Sequence, residues 1–221
     1  MALTLYFHPL SSFCQKALIA LYENSTPFTP QKVDLMDEKE SAAFKRMWPV
    51  GKFPVLRDEK SGQTIPESTT IIEYLAQHYP GSIQLVPKNA GEAFTVRAQD
   101  RFYDLNVHLL TQKVITDRLR PAGQNDKFGV EHARGVLRTA LGIVDRDMSK
   151  KTWAAGDAFT MADCAAAPTL FYYNRAVEPL AGSFDNVAAY LDRLVKRPSY
   201  ARALKEAEPF LKYVPILPVE P

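Results

Sequence analysis

Leu3 to Phe7 alternates apolar and polar side chains and is rich in strand formers, which predicts a β-strand that His8-Pro9-Leu10 ends. Ser11 to Lys16 then opens a run through Ala17, Leu18, Ile19, Ala20 and Leu21, predicting a helix buried on more than one face. Asn24 to Pro27 closes it. Phe28 to Leu35 predicts a second strand and Ser41 to Trp48 a short helix; two strands follow around Val55-Leu56 and Thr64 to Pro66, and a helix starts at Ser68. The order βαβαββα predicts an α/β domain, with its ligand at the carboxyl ends of parallel strands joined by helical crossovers. Beyond Tyr79-Pro80-Gly81 the pattern becomes helical. Glu92 to Arg120 predicts one long helix with a stripe of Phe94, Ala98, Phe102, Leu105, Leu109 and Ile115. Phe128 to Lys150, Thr160 to at least Tyr173, Val187 to Lys196 and Tyr200 to Ala207 predict further helices, and the proline-rich tail Pro209 to Pro221 is expected to run extended. The domains expected are residues 1–80, a linker at 81–91, and an all-α domain at 92–221.

Composition narrows the class. At 221 residues the chain can bury more than one core, and a net charge of +2 makes no case for a nucleic-acid or membrane partner. Two cysteines, Cys14 and Cys164, supply neither a disulfide framework nor a zinc set, so no metal is expected and a reducing cytoplasm is. The start of the chain lacks a basic leader, and no apolar run is long enough to cross a bilayer.

The chemistry concentrates between Gly51 and Leu75. Pro54 precedes the strand formers Val55 and Leu56 and can donate no ladder hydrogen bond, so it marks an edge or a strand's first residue and is a candidate cis peptide. A cis Phe53-Pro54 bond would turn the amide and carbonyl of Phe53 outward, to pair with an extended peptide. Ser68 is a good N-cap, and the amides of the helix it opens would hold a carboxylate. Its hydroxyl adds a donor, while Glu67 offers an acceptor for an ammonium group. These groups describe a receptor for a small zwitterionic peptide.

Gly51-Lys52-Phe53-Pro54 followed by Glu67-Ser68 resembles the glutathione-binding motif of the soluble glutathione transferases. The resemblance covers the whole chain and implies a thioredoxin-like domain followed by a helical one, with glutathione as co-substrate. It departs from many relatives in having Trp48-Pro49 before the turn and Phe53 where valine is usual. The stretch Ser11-Ser12-Phe13-Cys14 resembles the degenerate redox motif of the thioredoxin group, Ser-x-x-Cys in place of Cys-x-x-Cys, as in a bacterial-type transferase, and Ser11 matches the active-site serine of the theta, zeta and related transferase classes. A thiol of pKa about 8.5 is mostly protonated at pH 7, and lowering that by ~2 units takes ~3 kcal/mol. A hydroxyl at a helix N-terminus can supply this, so Ser11 is expected to donate to the glutathione sulfur. Ser12 is the alternative donor, and Cys14 is either a partner for a mixed disulfide or a small core hydrophobe. Phe13 is placed at the ligand, and Lys52 or Lys39 is a candidate for its glycine carboxylate.

The resemblance also implies an acceptor site for a small, apolar electrophile between the domains, for which Phe13, Phe102, Tyr103, Val107 and Tyr173 are candidates; His108 needs no catalytic role. Thr160 to Asp163 matches a structural capping box of the helical domain. A homodimer is implied, with Arg97, Asp100 and Arg101 as candidates for its interface or for the neighbour's glutathione. A transferase-like scaffold protein and a glutathione-dependent isomerase or dehalogenase stay open as alternatives to a detoxifying transferase.

Overall fold

The structure is a computed structural model that describes residues 2–215. Strand β1 (Leu3–Phe7) leads into α1 (Ser12–Glu23), β2 (Thr29–Lys32), α2 (Glu38–Met47), β3 (Val55–Asp58), β4 (Gln63–Pro66) and α3 (Ser68–His78). Two expected bounds move. The Asp37 carboxylate accepts the Glu40 amide at 2.8 Å and starts α2 three residues sooner than the apolar pattern indicated, and β2 covers only part of Phe28 to Leu35.

The sheet order is β2-β1-β3-β4. Only β1 and β2 run parallel; β3 is antiparallel to β1 and β4 to β3, which corrects the expected parallel sheet. The correction locates the site. Because Tyr6 pairs with Val55 and Val55 with Pro66, the exit of β1, the entrance of β3 and the exit of β4 lie side by side at one end of the sheet. Pro54 therefore stands at the mouth of an interior strand, not on an edge strand, and its peptide bond with Phe53 is cis.

The helical part comprises α4 (Ala90–Phe102), a π-helical segment Tyr103–His108, α5 (Leu109–Asp117), α6 (Lys127–Met148), α7 (Met161–Ala176), α8 (Asp185–Lys196), α9 (Pro198–Ala207) and a 3-10 turn at Glu208–Tyr213. That turn corrects the extended course expected from Pro209, and the rest of that tail, from 216, lies outside the described residues. The single long helix of the sequence pattern is thus α4 and α5 joined by a wide π turn. Its stripe is also corrected. Phe94 and Ala98 are exposed and Leu105 and Leu109 partly so, while Ala93, Val96, Asp100, Tyr103, Asp104, Val107, His108, Thr111 and Val114 face inward. A π turn adds a residue to its circuit and shifts the phase of every residue after it.

Helix α1 lies between the sheet and the bundle, packed on α3, α7 and α9, so both of its sides are covered. The consequence is Lys16, a lysine 1% exposed. Its Nζ is 2.7 Å from Asp100 Oδ1, 2.8 Å from Asp104 Oδ2 and donates to Thr69 Oγ1 at 2.8 Å. Thr69 in turn donates to Asp100 Oδ2 at 2.8 Å. Asp100 is therefore interior, which corrects its candidacy for a subunit interface. Across the bundle, Asp163 accepts from the Thr160 and Ala154 amides at 2.8 Å and from the Tyr190 hydroxyl at 2.6 Å, completing the capping box of α7. Neutralising Lys16 strands two buried carboxylates, so Lys16→Met is expected to destabilise the fold by about 3–5 kcal/mol at pH 7, read by urea unfolding.

Candidate active site

The loop that leaves β1 doubles back before α1, with the Ser11 amide donating to the His8 carbonyl at 3.0 Å. Ser11 is the N-cap of α1; its Oγ accepts the Cys14 amide at a long 3.4 Å. That bond uses an oxygen lone pair and leaves the hydroxyl proton available. Ser11 is half-buried.

Ser11 lines neither of the two cavities that its neighbours in the chain face. A cleft of about 250 Å³ is lined by Phe13, Lys52, Phe53, Pro54, Glu67 and Ser68, and on its helical side by Arg101, Asp104, Leu105 and Leu109. Neither the amide nor the carbonyl of Phe53 makes a hydrogen bond among the described residues. Its ring lies 6.2 Å from that of His8 and 6.4 Å from that of Phe44. Glu67, not Ser68, is the N-cap of α3, and it holds φ 68°, a left-handed conformation uncommon for a residue with a side chain. Glu67 is exposed; Ser68 is buried and opens the helix. Next to them Thr69 is held by Lys16 and Asp100, so the same buried cluster fixes the start of α3.

Of the expected ligand-binding residues, Phe13, Lys52, Phe53, Pro54, Glu67 and Ser68 share this cleft. Lys39 does not; it stands exposed on α2 and is absent from the lining. Of the two roles open to Cys14, the structure supports the small core hydrophobe over the mixed-disulfide partner. It is fully buried, and burial pushes its thiol up to about 12 although Ser11 and the His8 backbone draw it the other way, so it offers no accessible thiolate. Arg101 joins the cleft without having been assigned to this chain's own ligand; its spacing with Leu105 and Leu109 was the available signal.

Leu10 and Ser12, the neighbours of Ser11, line a second cavity of about 170 Å³ with His108, Thr111, Ile115 and Tyr172 among its walls. Ser12 Oγ is 3.0 Å from His108 Nε2, and Thr169 Oγ1 is 3.4 Å from His108 Nδ1. Phe13 sets its ring edge-on to His108 at 4.3 Å. Burial, with the nearby Lys16 charge, holds His108 down to about 3 and therefore neutral. Tyr103, Val107 and Tyr173, expected in an acceptor site, are buried core instead, and Phe102 lines neither cavity; Tyr172 and the face shifted by the π turn take their place.

Residues 5–83 match the family described as glutathione S-transferase, N-terminal domain, and residues 102–198 match glutathione S-transferase, C-terminal domain. The chain is 30% identical over 173 residues to a probable maleylacetoacetate isomerase of Caenorhabditis elegans, covering 77% of this chain and 78% of that one. It belongs to the glutathione S-transferase family. Glutathione S-transferase F13 of Arabidopsis thaliana is 26% identical over 210 residues, 91% of this chain and 94% of its own. The fold matches a glutathione S-transferase of Methylobacillus flagellatus KT crystallised with glutathione, at a TM-score of 0.80 and 24% identity, over 91% of this chain and 98% of that one. In a glutathione S-transferase the co-substrate is glutathione, a tripeptide with a carboxylate and an ammonium at one end and a second carboxylate at the other.

His108 gives the family fold a pH dependence. The unfolded chain protonates this imidazole near 6.5 and the folded chain does not until about 3, so the unfolded state binds more protons as pH falls below 6.5 and stability is lost. His108→Gln is expected to lose about 2 kcal/mol less than the parent between pH 7 and pH 5, measured by urea unfolding at both.

Proposed function

We propose that the protein conjugates glutathione with small electrophiles. The convergence of the Phe53–Pro54 turn and the Glu67–Ser68 helix start in a cleft beside Ser11 supports this reading. Glutathione lies extended along Phe53, whose unpaired amide and carbonyl take its backbone. The γ-glutamyl carboxylate sits at the first amides of α3 and the Ser68 hydroxyl, and its ammonium meets Glu67. Lys52 takes the glycine carboxylate. Arg101 adds positive charge at the same cleft.

Ser11 donates its hydroxyl to the glutathione sulfur, which lies over the N-terminus of α1, and so favours the thiolate. The thiolate attacks an electrophile seated in the second cavity, by addition or displacement. Ser12 is the less suited donor to sulfur, since it is buried against His108 and lines the second cavity, not the cleft of Phe53 and Ser68. A glutathione-dependent isomerase is the second reading, favoured by the 30% identity to the nematode protein; the sequence Ser-Ser-Phe-Cys at 11–14 departs from the Ser-Ser-Cys-Ser of that class. Family membership, with Phe94 at 73% exposed and Phe128 at 87%, supports a homodimer. No helix among the described residues is long and apolar enough to cross a membrane, and a detoxifying role in the cytoplasm fits the reduced cysteines.

Calorimetry with glutathione tests the binding half of this reading. Ser68→Ala is expected to weaken affinity about ten-fold, through the loss of one hydrogen bond to a charged group. An absence of parent binding at millimolar glutathione would move the assignment to a scaffold protein of the same fold. For the chemistry, Ser11→Ala is expected to lower kcat about 100-fold with little change in glutathione affinity. A rate left intact would transfer the role to Ser12.

A further inference from the structure

The loop that carries Ser11 has each of its backbone polar groups held. Gln15 Nε2 donates to the Pro9 carbonyl at 2.9 Å, the Tyr172 hydroxyl to the Leu10 carbonyl at 2.6 Å, and the Gln15 amide to the Ser11 carbonyl at 2.9 Å. The Ser11 amide donates to the His8 carbonyl at 3.0 Å. Pro9 has no amide to place, so one donor is left, that of Leu10, and it goes to a side chain: His8 Nδ1 accepts it at 3.2 Å. Asparagine and aspartate make the same turn with the amide two residues on; here an imidazole makes it. His8 thus holds the amides of both Leu10 and Ser11.

Gln15 and Tyr172 are buried in α1 and α7 and bond each other at 3.1 Å, so their ends of the loop are fixed from the core. His8 is only half-buried and is fixed by rings instead. The Phe53 ring stacks on it at 6.2 Å with 21° between the planes, and Phe210, from the 3-10 turn after α9, meets it edge-on at 4.8 Å. The Lys32 ammonium lies 5.5 Å from the centre of the Phe210 ring. An imidazole accepts at Nδ1 only while it is neutral with its proton on Nε2. Burial, and after it the Lys32 charge, lowers the His8 imidazole below its ordinary value against the opposing pull of Asp34, which keeps the acceptor in place at neutral pH. One ring therefore ties the turn at Pro54 to the loop that bears Ser11.

We propose that His8 is a positioning residue for the reaction: through the Leu10 amide it sets the angle at which the Ser11 hydroxyl meets the glutathione sulfur. This rests on the reading of Ser11 as the donor to that sulfur. The Ser11 oxygen has one side-chain bond of its own, the long 3.4 Å contact from the Cys14 amide, so the loop and not the hydroxyl's partners decides where it points. A donor moved by about 1 Å, or turned away, loses much of its hold on a thiolate. The tripeptide itself is bound at Phe53 and at the start of α3, outside this loop. Loss of the His8 acceptor is therefore felt in the ionisation of the thiol and not in the affinity for glutathione.

The test titrates the thiol of glutathione bound to the intact protein, through the ultraviolet absorbance of the thiolate, and needs no second substrate. His8→Phe keeps a ring against Phe53 and Phe210 but has no acceptor. It is expected to raise the pKa of the bound thiol by about one unit, with calorimetric affinity for glutathione within about three-fold of the parent. His8→Asn, whose side-chain oxygen accepts the same amide, is expected to restore the parent pKa to within about 0.3 unit. If His8→Phe does not fold, as judged by urea unfolding, His8→Ala removes the acceptor from the same half-buried position and is read in its place. An unchanged thiol pKa overturns the inference. So does a rise shared equally by His8→Asn, or a loss of affinity as large as the loss of thiolate, which would mean general damage to the site. Ser11→Ala in the same titration separates the two levels. If Ser11→Ala raises the thiol pKa and His8→Phe does not, this inference alone is defeated. If Ser11→Ala keeps the parent value, or the parent binds no glutathione, the reading of Ser11 fails and this inference fails with it.

Discussion

One buried ammonium organises the molecule. Lys16 on α1 sits between Asp100 and Asp104 from the helical part and Thr69 from the start of α3, with only 1% of its surface exposed. Burying a lysine is costly unless carboxylates meet it, and burying two carboxylates is costly without a cation between them. Burial raises the Asp100 carboxyl above its ordinary value, with Lys16 opposing and Asp104 reinforcing that rise. Each half of the chain thus carries a charge that only the other half can compensate. The sheet layer and the helical layer are held in one relative position, and the cleft between them keeps its shape.

The same cluster reaches the ligand cleft through Thr69, which is one residue past Ser68 and two past the strained Glu67. A left-handed glutamate persists only where its surroundings enforce the conformation. Here β4 fixes the chain before it, and Thr69, tied to Lys16 and Asp100, fixes the chain after it. The positive end of α3 is thereby presented at the cleft rather than left to fray. Preorganisation of this kind lowers what a small peptide must give up in ordering the site on binding.

The two cavities divide the chemistry by their electrostatics. The first is flanked by exposed Lys52, Arg101 and Glu67, matched to the separated charges of a zwitterionic tripeptide. The second has apolar walls at Leu10, Ile115 and Leu119 beside a neutral imidazole. Ser11 stands in the stretch between them.

The strand and helix order, the turn at Pro54 and the Glu67-Ser68 pair were legible in the chain because each depends on local chemistry: a period of side chains, a missing amide, a helix start. The burial of α1 on two sides was legible too, from its unbroken apolar run at 17–21. Strand direction was not, since alternation is the same for parallel and antiparallel neighbours, and only the register of Tyr6, Val55 and Pro66 revealed that three chain ends share one site. The inward face of α4 and α5 escaped for a different reason. Its key members, Asp100, Asp104, His108 and Thr111, read as surface residues until Lys16, Thr69 and Ser12, distant in sequence, are brought against the first three, and the π turn between the helices rotates the face in a way no 3.6-residue period encodes. Local propensity and patterning thus determined which elements form and which groups could bind a peptide. Tertiary packing decided which polar side chains are buried, because a partner far along the chain, and not the residue's own polarity, is what makes burial affordable.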